Sequence, residues 1–422
     1  MQKLHPNHYD FDAAIPPASE VDLATMDVSD PELWRRNLIW DRFQRLRDED
    51  PVHHCPDSFS GAYWSVTRYA DIMKVDTTPG VFSSDSHNGG IVIFDADPNY
   101  PAGFISMDEP QHALHRATVQ PIVGPEFLRQ FEVLIRERTC DLLDSLPRGE
   151  AFDWVDRVSV ELTTMMLATL FDFPFEDRRK LTRWSDVATG EHNPKICPGG
   201  REQWEAEMLE CLEVFTGLWN ERVNSPESRS DLVSMMAHHE NTRAMTPTEY
   251  FGNLILLIVG GNDTTRNSMT GGLYALHSNP AEYDKLRRDH SLIPNMVSEI
   301  IRWQTPLPHM RRTAMEDFEL GGKTIRKGDR VVMWYVSGNR DELIFDDPHA
   351  FRIDRKNARQ HISFGFGIHR CVGNRLAELQ LRILWEEIMK RFDHIDVLEE
   401  PERLPNSFVK GYTRMMVKIP AA

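Results

Sequence analysis

Thr246-Pro247-Thr248-Glu249 narrows the choice of fold more than any other segment. It combines a capping box with proline at the first helical position, so the open N–H groups of a helix start are satisfied and φ is pre-set. Helical character continues to Ser278, where Asn279-Pro280 stops it. At 1.5 Å per residue such a helix is ~50 Å long, enough to cross the whole protein. Its middle, Gly260-Gly261-Asn262-Asp263-Thr264-Thr265, is nevertheless a poor helix sequence. Each glycine costs about 1 kcal/mol relative to alanine. Two readings explain that cost: a bulky group approaches the backbone, or a second helix packs tightly against it.

Apolar residues at helical spacing predict further helices over Trp34–Arg47, Ala70–Val75, Pro125–Leu146, Val155–Phe171, Glu202–Asn224 and Asp231–His239. Strand signals are fewer. Val52–Cys55 and Ala62–Thr67 read as a hairpin, as do Phe318–Leu320 and Lys323–Arg326 around Gly321-Gly322, with Arg330–Tyr335 following. The expected class is therefore mainly α (α+β), a single domain with small antiparallel sheets and one long central helix. Length alone would suggest two or three domains. No linker or repeat divides the chain, so one domain over 35–422 is expected, with an N-terminal segment 1–34 packed on its surface.

A net charge of −17 argues against nucleic acid or an anionic membrane as the main partner, since both would repel it. The longest apolar run, Leu254–Val259, is far short of the ~18 residues that span a bilayer. Cys55, Cys140, Cys197, Cys211 and Cys371 are odd in number and form no C-x-x-C pair. With no targeting segment at the start, a cytoplasmic location and reduced thiols are expected.

Cys371 stands out for its setting. It closes Phe364-Gly365-Phe366-Gly367-Ile368-His369-Arg370-Cys371-Val372-Gly373, and an amphipathic helix, Asn374–Arg391, follows. At a helix N-terminus, backbone N–H groups and the dipole favour a thiolate. Gly367 and Gly373 would let the backbone pass close to a flat cofactor. Other readings of the cysteine are a small buried hydrophobe or a nucleophile, although no histidine-plus-acid set is implied. A dinucleotide loop fails because Arg370 occupies the third glycine position and no strand–helix–strand unit surrounds it.

Phe364-x-x-Gly367-x-His369-x-Cys371-x-Gly373 resembles the haem-binding signature of the cytochromes P450. Three further segments resemble the same family in the same order. They are Asp108-x-Pro110-x-His112-x-x-x-Arg116, Gly260-Gly261-x-Asp263-Thr264, and Glu299-Ile300-Ile301-Arg302. The resemblance implies haem b with Cys371 as the axial iron ligand and O2 as co-substrate. It also implies a propionate clamp of His112, Arg116, Arg312 and His369, and a scaffold trio of Glu299, Arg302 and Arg355. Thr264 would hold oxygen and an ordered water while Asp263 relays protons from solvent; the alternative for the threonine is a bond back to the carbonyl four residues earlier.

Longer stretches, among them Tyr63–Thr67, Leu167–Pro174, Ile258–Gly272 and Phe364–Glu387, resemble the bacterial alkane and fatty-acid terminal hydroxylases of that superfamily. The implied reaction is terminal hydroxylation of a medium-chain hydrocarbon in a pocket formed by Leu256, Gly260, Leu307, Ile93, Phe94, Phe408 and Val409. Ala188–Gly200 departs most from the family pattern and is expected to belong to a lid. No flavin or nicotinamide domain is fused, so electrons are expected from NAD(P)H through a ferredoxin reductase and a [2Fe–2S] ferredoxin. Between Arg352 and Arg382 seven Lys/Arg face two Asp/Glu, which would suit an acidic partner on the Cys371 side. Two alternatives stay open: a terpenoid or other cyclic substrate, and a haem-thiolate binding protein without turnover.

Overall fold

The computed structural model describes residues 14–58, 60–95, 103–191, 193–225 and 229–421. The helices are α1 (Pro31–Arg35), α2 (Trp40–Glu49), α3 (Tyr69–Asp76), α4 (Gln111–Val119), α5 (Pro125–Asp144), α6 (Glu161–Phe171), α7 (Arg179–Thr189), α8 (Gly200–Asn224) and α9 (Leu232–His238). They continue with α10 (Pro247–Ser278), α11 (Pro280–Arg288), α12 (Ile293–Gln304), α13 (Tyr335–Gly338) and α14 (Asn374–Arg391). The capping box at Thr246 is formed in both directions, and α10 runs uninterrupted for 32 residues. Most of its length is buried between two apolar clusters. One joins it to α12 and α14, the other to α5–α9.

Two expected helices differ in detail. Trp34–Arg47 is broken into α1 and α2, because Asn37 takes a left-handed conformation (φ 57°) that asparagine tolerates. Val155–Phe171 begins with a π-type turn, Val155–Val160, before α6.

Strands β1 (Val52–Cys55), β2 (Tyr63–Val66), β3 (Phe82–Ser83), β4 (Ala151–Asp153), β5 (Met310–Ala314), β6 (Phe318–Leu320), β7 (Lys323–Ile325) and β8 (Arg330–Met333) lie mostly beside the helical body, with short strands near the C-terminus. The β1–β2 and β6–β7 hairpins form as predicted, Gly321 and Gly322 supplying positive φ at the second turn. The small antiparallel sheets form as expected, with one parallel pairing among them. β8 leaves the β6–β7 hairpin, pairs antiparallel with β5 and parallel with β2, and so completes a five-stranded sheet ordered β1-β2-β8-β5-β3. Its β2 partner is distant in sequence, and local pattern carries no information about it.

The N-terminal segment is also more than a surface layer over the residues described. Met26, Val28, Leu33 and Trp34 are buried in a third cluster with Phe43, Tyr63 and Trp334; residues 1–13 of that segment lie outside the described residues. Among the described residues no helix is long and apolar enough to cross a membrane.

Candidate active site

The mid-helix glycines of α10 have different reasons. A Cβ at Gly261 would stand 2.7 Å from Leu167 Cδ2 on α6, so that glycine permits helix–helix packing. A Cβ at Gly260 would meet nothing within 4 Å, because this face opens into a cavity of about 430 Å³. The cavity wall includes Gly260, Thr264 and Thr265 from α10, and Cys371, Val372, Gly373 and Leu376 from the start of α14.

The loop before α14 is firmly held. The Cys371 N–H donates to the Phe364 carbonyl at 2.8 Å. Asn339 accepts the Ile362 N–H at 2.8 Å and donates to Ser363 Oγ, which in turn donates to the Ile301 carbonyl of α12. Gly365 and Gly367 both have φ near 64°. Gly367 does not serve a cofactor face as expected: a Cβ there would overlap the Asp76 carbonyl, so its smallness fits the loop onto α3. Gly373 does border the cavity with open space around it. The Cys371 side chain is exposed to that cavity while being surrounded by protein on its other sides. Burial pushes its thiol up. The Gly373 N–H, Arg116, Arg370 and the Asn374 N–H pull it down.

Behind the loop, Glu299 accepts Arg302 Nε at 2.7 Å and Nη2 at 2.8 Å, and Arg355 Nε at 3.1 Å, all three side chains being buried. The two guanidiniums also donate to the carbonyls of Asn339, Pro348 and Ala350. The expected scaffold trio is thus assembled as one network.

His112, Arg116, Arg312 and His369 converge on the cavity edge. The rings of His112 and His369 are 4.2 Å apart. Both nitrogens of His369 and Nε2 of His112 are buried without a partner among the described residues. Burial, Arg312, His112 and Arg116 push His369 down to about 2, so it is neutral in this arrangement. The Arg116 guanidinium has no hydrogen bond to any described group, and burial pushes it down while Cys371 pulls it up. Arg312 rather than Arg311 faces the cavity, since β5 alternates its side chains and sends Arg311 to the Phe94 carbonyl and Asp95. Cations and unpartnered ring nitrogens gathered at one edge fit the paired carboxylates of a haem, and a lone inward cysteine fits its iron.

Asp263 points away from the cavity. Its Oδ1 accepts Arg266 Nη2 at 2.7 Å, and the same nitrogen donates to Asp186 of α7 at 2.8 Å. Oδ2 is buried and unpartnered. Burial pushes Asp263 up to about 6 against the pull of Arg266, whose charge is divided between two carboxylates. Thr264 borders the cavity, and its hydroxyl donates to the Gly260 carbonyl at 2.9 Å, the back-bond that was the alternative reading. Asp186 is about one-third exposed, so Arg266 links a buried acid to one in contact with solvent. Sequence reasoning missed Asp186 and Arg266, because only α7 packing on α10 brings them together.

Of the expected pocket residues, Leu256, Gly260, Leu307 and Phe408 border the cavity. Ile93, Phe94 and Val409 do not. The chain at Ile91 runs along β5, its carbonyl accepting the Arg311 N–H at 2.7 Å, so Ile91 and Val92 border the cavity instead. Ile93 and Phe94 then pack in the N-terminal cluster, and Val409 is buried in the C-terminal loop. Ala188 and Thr189, the first residues of the expected lid segment, also border the cavity.

On the other side of the cysteine loop a groove is bordered by Arg129, Arg359, Arg370, Arg375 and Arg382, with Glu132 and Glu378. Arg355 and Arg352, counted earlier as basic residues of this region, are instead tied to Glu299 and to Asp346 and Asp347.

The fold and this site define the class of haem-thiolate monooxygenases. A profile of the cytochrome P450 family matches residues 208–419. A linalool 8-monooxygenase of Pseudomonas putida is 36% identical over 403 residues, 93% of this chain and 98% of its own length. A methyl-branched lipid omega-hydroxylase of Mycobacterium tuberculosis is 30% identical over 419 residues, 95% and 96% of the two chains. Among solved structures, cytochrome P450-153 from Novosphingobium aromaticivorans superposes with a TM-score of 0.87 at 46% identity, covering 93% of this chain and 99% of that one. The chain belongs to the cytochrome P450 family. Haem iron and O2 follow from that membership, as does an apolar substrate.

Proposed function

We propose that this monooxygenase hydroxylates medium-chain linear alkanes or fatty acids, mainly at the terminal methyl. The observation that carries the proposal is the apolar wall of the cavity beyond Gly260, made of Ile91, Val92, Ile105, Leu256, Leu307 and Phe408. Such a wall gains ~0.8 kcal/mol per buried CH₂ and imposes no polar pattern on the ligand. The lipid omega-hydroxylase relative supports this substrate class.

In this reading Cys371 ligates the iron, and Phe364, Gly367 and the loop around them hold the cysteine in place. Arg116 and Arg312 neutralise the propionates, with His112 and His369 donating hydrogen bonds. Haem, when bound, supplies reductive activation of O2 and transfer of one oxygen atom to carbon. Thr264 holds a proton at Oγ1 on the cavity side. Asp263 holds one at its buried carboxyl and passes it inward, refilled from solvent through the Asp186 side of α7. The apolar wall excludes water and steers the chain end, since terminal C–H bonds are stronger than their neighbours.

Electrons come from NAD(P)H through a ferredoxin reductase and an acidic [2Fe–2S] ferredoxin, docked on the arginine-bordered groove behind Cys371. A second reading, a terpenoid substrate, is favoured by the identity to the linalool enzyme.

The test is a spin-state titration of the purified holoenzyme with octane, dodecane, dodecanoate and linalool, followed by product analysis with ferredoxin and reductase. A linear chain giving the largest shift and a primary alcohol is the expected result. Linalool alone shifting the spectrum overturns the proposal in favour of the second reading.

A further inference from the structure

Asp76, the last residue of α3, is a buried carboxylate with three polar partners from three separate parts of the chain. Its Oδ1 accepts Arg312 Nη2 of β5 at 3.0 Å. Its Oδ2 accepts the Tyr335 hydroxyl of α13 at 3.0 Å and the Phe366 N–H of the cysteine loop at 2.7 Å. The side chains of Asp76 and Arg312 are 1% and 4% exposed. The loop also closes sterically on this residue, because Gly367 leaves no room for a Cβ beside the Asp76 carbonyl.

Two consequences follow from this geometry. Phe366 lies five residues before Cys371, so a charge-assisted bond to its N–H fixes the approach of the cysteine segment. Arg312 borders the cavity but is already paired, so the positive charge it presents there is partly cancelled by a fixed negative one. In dry surroundings such a charge is felt strongly.

We propose that Asp76 is a positioning residue of the haem site, tethering the Cys371 loop at Phe366 and, through Arg312, holding down the reduction potential of the iron. The proposal rests on the haem-thiolate class and is independent of the substrate proposed above. Adding an electron to iron is opposed by a nearby negative charge and favoured by a positive one. Removal of the Asp76 charge therefore leaves Arg312 uncompensated and makes reduction easier.

The experiment measures two things on holoenzyme: the ferric–ferrous midpoint by spectroelectrochemistry, and the rate at which the thiolate-type carbon monoxide Soret band is lost in mild urea. Asp76→Asn is expected to raise the midpoint enough to change the ferric-to-ferrous ratio at fixed potential about tenfold, which is 59 mV for a one-electron couple. It is also expected to speed loss of the band. Tyr335→Phe keeps both charges and the Phe366 bond but removes the hydroxyl that orients Asp76 Oδ2 toward it, so it should lose the band faster at an unchanged midpoint. If Asp76→Asn yields no holoenzyme, Arg312→Gln should lower the midpoint and the double variant Arg312→Gln/Asp76→Asn should return it toward wild type. A midpoint unmoved by Asp76→Asn, or equal in the Arg312→Gln single and double variants, overturns the charge role. Wild-type band loss in Tyr335→Phe overturns the tether.

Discussion

Thr264 and Asp263 occupy adjacent positions on α10 and face different surroundings, one the cavity and one the interior beside α7. A hydroxyl bonded back to Gly260 must turn to serve a ligand in the cavity, and a one-atom change removes that option. Thr264→Ala is expected to keep NADH consumption while product per NADH falls, measured by matching cofactor oxidation to alcohol formed. Asp263→Asn should lower turnover by about 10²-fold or more, since the amide cannot carry a proton. The carboxyl also has a stability signature. Its folded value, pushed up to about 6 by burial, exceeds the ordinary 3.8, so between those values the native state keeps a proton the unfolded chain has released. Stability therefore declines as pH rises from about 4 to about 6 and levels off above. Urea titrations across that range should show the slope in wild type and a flatter profile in Asp263→Asn.

At the scale of elements, α10 is both packing surface and cavity wall, and neighbouring glycines separate the two. Gly260→Ala gains about 1 kcal/mol of helix propensity with no clash, while its methyl enters the cavity. The same change at Gly261 drives a methyl toward Leu167, and overpacking of this kind costs about 1–3 kcal/mol. Thermal unfolding should move in opposite directions for the two variants, and Gly260→Ala should favour shorter chains. The loop carrying Cys371 depends on α12 through Glu299. Glu299→Gln leaves two buried guanidiniums without their carboxylate and is expected to cost about 3–5 kcal/mol by urea unfolding, with loss of bound haem. Cap, periodicity and loop glycines made α10, α5, α8 and α14 legible in advance. The five-stranded sheet was not, because β5 is short and buried along its whole length, and β3 and β2, the outer partners of β5 and β8, lie far away in sequence.

At the scale of the whole molecule, an acidic chain carries an arginine-bordered groove behind its cysteine loop. Reduction by an acidic ferredoxin should slow as salt rises, and Arg375→Glu should slow it further without changing the substrate-induced spin shift. Across a series of linear alkanes, affinity should rise about fourfold per added carbon until the cavity is filled, then level off.

The haem signature, the distal pair and the scaffold acid with its arginine were legible as short motifs through their resemblance to a family, since each lies within a few residues of sequence. Which of Arg311 and Arg312 faces the cavity required the β5 register, and the exclusion of Ile93, Phe94 and Val409 from the wall required the path of two loops. Asp186 and Asp76 became visible only when α7 and α3 were seen against α10 and the cysteine loop. Spacing along a chain determines which groups share a turn or a cap. Long-range packing decides which charges meet, because a buried carboxylate takes whatever partner the fold delivers within about 3 Å.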